Sequence, residues 1–353
     1  MNVAVIGAAG GCGRQLAVQL LDRHVLPQSA RLQLVGHRGG RSEDELWGLL
    51  SDLEDAFGDS APTIELVVDP QAVDADVVVM LAGITIPTDP NASVDRAALG
   101  QANYKIFVEY ADALAARPGL PPAVIVQSNP VELGVQVFAQ RLGRHHVLGA
   151  GGWSDTLRLR AELAVELGVR RPQVQAWMFG QHGDFLVPIW SQVRAWGVTP
   201  AEVDALVGRV TAGRSLVDLP QQVRTYKAQL LDLVRSGQVR TAYDRVQSLP
   251  PDLRAAVKPF FTHFTAGHTT EVVTAYAVAD IVAALVEGRQ RVIPAQVALA
   301  GEWLGIHGVV GAPVVLSLNG WEHIYPVRLS DDETAAVGAA ASAIAAANAQ
   351  VVA

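Results

Sequence analysis

The residues best suited to chemistry lie in two short segments. In Gly180-Gln181-His182-Gly183-Asp184 a histidine stands between glycines after a strand-like run, where a small substrate can reach it. Its near-neutral reference pKa suits proton exchange. A turn histidine alone is more often an ordinary surface residue, so its company matters. In Ser154-Asp155-Thr156-Leu157-Arg158, Asp155 and Arg158 are three apart and share one helix face. A carboxylate beside the histidine would fix its tautomer and stabilise its cation. An arginine on that face could grip a substrate carboxylate in a two-pronged fork.

A second group is suited to binding. Gly7-Ala8-Ala9-Gly10-Gly11-Cys12-Gly13 follows the first strand-like run and precedes a helix. Small residues there let the backbone approach a pyrophosphate at a helix N-terminus. The alternative is a tight strand-to-helix turn with no ligand. Cys12 reads as a small packing residue within the loop. At the end of the second strand, where NAD-binding folds place Asp or Glu for the ribose hydroxyls, this chain has Gly36, His37, Arg38, Arg41 and Ser42. A 2′-phosphate would be repelled by a carboxylate and held by guanidinium groups, so NADP is expected over NAD. A solvated basic turn that tolerates either cofactor is the alternative.

These groups need a scaffold. β-Branched runs at residues 3–6, 32–35, 64–68, 77–81 and 124–126, with a weaker one at 146–148, are apolar on both faces. Covered parallel strands look like this. Helical patterns such as 15–21 and 106–116 separate them, which predicts an α/β Rossmann-type doubly wound parallel sheet over residues 1–148. Residues 149–353 alternate long helical stretches (154–167, 200–217, 221–236, 271–287) with strand-like runs (173–179, 292–300, 312–318). That predicts an α+β catalytic domain. Residues 200–259 are polar, arginine-dotted and helical. They read as an extended surface helix pair, with a lid or an oligomer contact as alternatives. The alanine-rich tail, 334–353, reads as a packed helix.

With 353 residues, half of them hydrophobic, the chain can bury a sizeable core. A net charge of −8 argues against nucleic acid as a partner. The sole cysteine, Cys12, excludes an intramolecular disulfide and a cysteine-based zinc site, and fits a reducing cytoplasmic compartment. The apolar start carries no basic segment, so no secretory signal is expected, and no membrane role.

Five motifs in order make the chain resemble the lactate/malate dehydrogenase family over nearly its whole length. They are the glycine loop, Leu81-Ala82-Gly83, Ser128-Asn129-Pro130, the Asp155…Arg158 pair, and residues 180–184 continuing into Val187-Pro188. Residues 311–318 with Asn319-Gly320 are similar to the family's C-terminal strands. The resemblance implies that His182 exchanges a proton with the substrate oxygen, Asp155 stabilises its imidazolium, Arg158 binds the C1 carboxylate, and Asn129 bonds near substrate and cofactor. Counting back from Asn103 gives Arg96 as the arginine that closes with a mobile loop and polarises the carbonyl. Cofactor contacts are implied at Gly7, Gly10, Gly11, Cys12, Gly13, Gly36, His37, Arg38, Arg41, Ser42, Leu81, Ala82, Gly83, Asn103 and Val126. Ile86, Thr269 and Thr270 would line the pocket. The reaction implied is hydride transfer between a nicotinamide dinucleotide and a 2-oxo acid in a homodimer or homotetramer, with no metal.

The chain departs from that family in three places. The loop at 84–95 is about four residues longer than the common form and has no basic residue before Arg96. A second substrate carboxylate would lack its partner there, so a neutral or apolar side chain is expected, with malate dehydrogenase proper as the alternative. Gly36 with Arg41-Ser42, followed by Asp52-Leu53-Glu54-Asp55, resembles NADP-linked malate dehydrogenases. The stretch from His182 to Thr270 is some tens of residues longer than usual, and Arg224, Arg235 or Arg240 could supply a cation if it folds over the site. Trp153 is bulky and near Asp155. Competing classes fit less well. NAD-dependent glycosidases need a metal and commonly a cysteine ligand. Short-chain dehydrogenases need Tyr-x-x-x-Lys, which is missing here. A non-catalytic NADP sensor need not keep His182, Asp155, Arg158 and Arg96 together.

Overall fold

The computed structural model describes residues 1–39, 41–92 and 96–352, and the side chains of Arg96 and Ala97 lie outside the described residues. Six parallel strands form the first half: β1 (Val3–Ile6), β2 (Arg31–Val35), β3 (Thr63–Val67), β4 (Val77–Met80), β5 (Ala123–Val126) and β6 (Val147–Gly149). Their order is 3-2-1-4-5-6. Val3 pairs with Leu32 on one side and Val77 on the other. Both faces of β1 are fully buried, which is why its run is unbroken rather than alternating. The helices are α1 (Gly11–Asp22), α2 (Arg41–Phe57), α3 (Arg96–Ala115), α4 (Val131–Leu142) and α5 (Gly151–Leu167). The order reverses between β1 and β4, and ligands of open α/β sheets bind beyond the strand C-termini at such a point. The expected Rossmann-type half is what forms.

The second half adds β7 (Val174–Gln175), β8 (Met178–Gly180), β9 (Leu186–Pro188) and β10 (Arg194–Ala195). Helices α6 (Pro200–Thr211), α7 (Leu219–Arg235), α8 (Val239–Gln247), α9 (Pro251–Ala266) and α10 (Glu271–Val286) follow. The chain closes with β11 (Val292–Ala300), β12 (His307–Ser317), β13 (Gly320–Ile324) and α11 (Asp331–Val352). The sheet does not stop at the junction near 148. β11 pairs antiparallel with β6 at Gln296 and Gly149, and the order continues β6-β11-β12-β8-β9. The Gln296 side chain also accepts the Gly152 N–H at 3.0 Å.

Some elements differ from the sequence reading. The run at 173–179 is two strands, not one: β7 pairs with β10, while β8 joins the main sheet. Arg41 and Ser42 open α2 rather than lying in a turn. Residues 200–259 form four helices rather than a surface pair, held to α5 by buried charge. Arg254 Nε donates to Glu162 Oε2 at 2.7 Å, and both residues are buried. The tail does pack: Ala336, Val337, Ala340 and Ile344 of α11 are buried. By length and composition alone α11 could also cross a membrane.

Candidate active site

His182 sits on the tip of a β-hairpin. β8 and β9 pair from Met178–Pro188 to Gly180–Leu186, and the Gln181 N–H closes the tip on Phe185 O at 3.0 Å. Gly180 has φ +83°, a conformation that side chains disfavour, and its neighbour Gly311 lies where a Cβ would come 2.6 Å from Gly180 O. The tip turns the imidazole onto the first turn of α5. A Cβ on Gly151 would lie 2.7 Å from His182 Cβ, so only glycine admits the ring there.

His182 Nδ1 lies 2.7 Å from Asp155 Oδ2, and Arg158 Nη1 donates to Asp155 Oδ1 at 2.7 Å. Arg158 Nη2 donates to Thr270 Oγ1 at 2.8 Å. The carboxylate therefore serves both cations, one oxygen each, as the helical spacing allows. Since an ionised carboxylate only accepts, Nδ1 carries a proton and Nε2 is the atom left for a substrate. Burial is the largest single influence on the ring and opposes its charge. The charge and hydrogen bond of Asp155 outweigh it, holding His182 above the ordinary imidazole value. Burial likewise pushes Asp155 up, but His182 and Arg158 together hold it below the usual carboxylate range.

Sequence reasoning missed Glu132. It follows the Asn129-Pro130 turn in the first turn of α4, is buried, and accepts the His182 backbone N–H at 2.6 Å. Burial raises its pKa, and the His182 N–H and charge partly offset this. The motif next to it was legible, but a bond spanning 50 residues was not. Asn103, expected at the cofactor, is instead buried and bonded to backbone. Its amide donates to Ile84 O and Asn129 O at 2.9 and 2.7 Å and accepts from Ile84 N at 2.7 Å. It ties the substrate loop to the Asn129 turn. Val126 is also fully buried, and its side chain packs against Gly134. Trp153 is core, donating Nε1 to Asp280 at 2.9 Å. Asn129 is exposed and Ile86 half-buried. Arg96 begins α3, but its side chain lies outside the described residues.

The glycine loop passes beneath the second half. A Cβ on Gly7, at φ +86°, would come 2.6 Å from Ala82 N, so β1 and β4 exit side by side. Gly83 is exposed and Leu81 half-buried next to it. Gly10 caps α1 without a side-chain bond, leaving the amides of Gly11, Cys12 and Gly13 to an anion. A Cβ on Gly13 would strike Gly7 O, and one on Gly11 would strike the Glu271 carboxylate. The two threonines divide: Thr270 meets Arg158, while Thr269 Oγ1 lies 3.7 Å from Cys12 Sγ. Burial pushes the Cys12 thiol up, in keeping with packing rather than thiolate chemistry. At the end of β2 a Cβ on Gly36 would strike Leu46. His37, Arg38 and Arg41 are exposed. Arg38 lies 4.0 Å from Asp69, and Arg41 pairs with Glu45 at 2.6 Å. These glycines let β1, β2, β4 and α1 pack closely at the switch point, where the α1 N-terminal amides suit a dinucleotide's pyrophosphate.

Residues 1–148 match the lactate/malate dehydrogenase NAD binding domain, and 265–353 match that family's alpha/beta C-terminal domain. The malate dehydrogenase of Rhodopirellula baltica is 31% identical over 267 residues, covering 74% of this chain and 70% of its own. That of Methanothermobacter marburgensis is 27% identical over 349 residues, covering 97% and 94%. The crystal structure of Cryptosporidium parvum malate dehydrogenase has the same fold, with TM-score 0.74 at 21% identity over 99% of this chain and 98% of that one. Both ends of the chain thus match one family and flank the segment that carries His182. The chain belongs to the lactate/malate dehydrogenase family, as a 2-hydroxy acid oxidoreductase with a nicotinamide cofactor and a small-molecule substrate.

Proposed function

We propose that the enzyme reduces a 2-oxo acid with an uncharged side chain, preferring NADPH, with His182 as proton donor. The observation that carries the substrate class is the loop at 84–95, whose charged residues are Asp89 and Asp95, both acidic. A second substrate carboxylate would meet like charge there. When bound, the nicotinamide supplies the hydride. Arg158, pre-aimed by Asp155 and Thr270, binds the C1 carboxylate. His182 Nε2 delivers its proton to the carbonyl oxygen, and Asp155 stabilises the imidazolium before transfer. Arg96 polarises the carbonyl, and Asn129, exposed beside the cleft, bonds near it.

The NADPH preference rests on Gly36, which offers no carboxylate, and on two exposed guanidiniums that can exchange surface carboxylates for a phosphate. We read the protein as a cytoplasmic homodimer or homotetramer, on its single cysteine and its family. Oxaloacetate is the second reading. Arg235 reaches this loop, with Nε 2.8 Å from Pro90 O, and the two relatives above are named malate dehydrogenases. Steady-state kinetics with NADH and NADPH against oxaloacetate, pyruvate and bulkier 2-oxo acids decide. Activity confined to oxaloacetate overturns the substrate class, and equal or better use of NADH overturns the cofactor preference.

A further inference from the structure

Helices α7 and α9 touch both sides of the site. On the His182 side, Lys227 in α7 donates to Asp184 Oδ1 at 2.7 Å, and the Arg224 guanidinium lies 5.6 Å from the Phe185 ring centre. On the other side they reach the substrate loop through two proline carbonyls. Arg235 Nε donates to Pro90 O at 2.8 Å, and His263 Nε2 lies 3.1 Å from Pro87 O. A carbonyl only accepts, so His263 holds its proton on Nε2. The ring is buried and stands edge-on to Phe264, 4.9 Å between centres, which leaves it little freedom to swing away.

The block is anchored to the helix that carries the catalytic pair. Arg254 of α9 bonds Glu162 and Glu166 of α5, each at 2.7 Å, and Lys258 also pairs with Glu162. Asp155 and Arg158 lie on that same helix. Proline restricts the backbone at both held points of the loop. Two fixed carbonyls three residues apart, together with the Asn103 bonds at Ile84, define the path of a segment this short.

We propose that His263 and Arg235 are positioning residues, which hold the substrate loop in one path against α7 and α9 by clasping Pro87 and Pro90. The inserted helices thereby set the loop in place before substrate arrives. The catalytic consequence rests on the dehydrogenase reading above; the clasp itself does not.

His263→Phe keeps the ring but removes the donor, His263→Gln keeps an amide donor, and Arg235→Ala removes the second bond. Each full-length variant is measured for kcat, for KM toward the best 2-oxo acid, for dinucleotide Kd by fluorescence, and for hydrogen exchange of the amides at 84–92. Losing one hydrogen bond should raise KM about 3- to 10-fold. Dinucleotide Kd should stay within about twofold and loop exchange should accelerate, with His263→Gln restoring both KM and exchange. Unchanged loop exchange in His263→Phe and Arg235→Ala overturns the clasp. So does a parallel loss of KM, Kd and melting temperature that His263→Gln fails to rescue. If the wild-type chain reduces no 2-oxo acid, the dehydrogenase chemistry fails while loop exchange still decides the clasp.

Discussion

Glu132 Oε1 accepts the backbone N–H of His182 at 2.6 Å, while Asp155 Oδ2 faces the ring of the same residue. One carboxyl group fixes where the histidine sits and the other how its ring is turned. Glu132 also adds negative potential to the imidazolium.

Asp155→Asn should lower kcat about 10²- to 10⁴-fold, because the ring loses the partner that orients and charges it. The residual activity carries a sign. Reduction needs imidazolium, so wild-type activity falls as pH rises through the raised pKa of His182. Without the Asp155 charge that limb should move to lower pH, as read from kcat/KM profiles; a limb that stays in place refutes the role of Asp155.

Glu132→Gln retains an acceptor for the His182 N–H and removes a charge that burial disfavours. A carboxyl whose folded pKa is raised costs stability once pH exceeds its unfolded value. The variant should therefore melt no lower than wild type at pH 8, while its His182 limb shifts to lower pH. Glu132→Ala leaves the N–H unpaired and should cost about 1–3 kcal/mol in denaturant unfolding. Equal stabilities for the two variants would count against the bond.

Arg158→Ala should reduce kcat/KM for 2-oxo acids by about 2–5 kcal/mol, or about 30- to 5,000-fold, as for a lost buried charge partner. Dinucleotide Kd, measured by fluorescence titration, should hardly change. Wild-type kcat/KM in this variant removes the assigned grip.

Arg38→Ala and Arg41→Ala should each weaken NADPH by about 1.5–3 kcal/mol, the range for a hydrogen bond to a charged group, and leave NADH nearly unaffected. The ratio of the two KM values reads this directly. Parallel loss for both cofactors points instead to damage at α2.

Glu271 lies against Gly11, where the dinucleotide pyrophosphate would meet the α1 N-terminus. Two anions at one helix end repel. Glu271→Gln should tighten dinucleotide binding, more at low ionic strength than at high. Weaker binding would mean that the carboxylate helps to hold the loop.

Much of this could be read before any coordinates. The parallel strands showed through because burial on both faces leaves an unbroken apolar run, as at Val3–Ile6. The Asp155–Arg158 pair showed because helical spacing makes it local. α2 was harder, with Gly48 near its middle and charges crowded towards both ends, and β7 and β8 merged because the break at Ala176-Trp177 is apolar. Glu132, Lys227 and His263 reach the site across 50, 43 and 176 residues. No periodicity connects such positions; only the folded chain brings them together.

The bridge between Gly149 and Gln296 has a consequence for how the enzyme can be taken apart. With β6 and β11 as neighbours inside one sheet, a cut at the junction would bare the short β6 edge on one fragment and the nine-residue β11 edge on the other. Such margins invite pairing with any other strand. Split expression should yield aggregates rather than two separable modules.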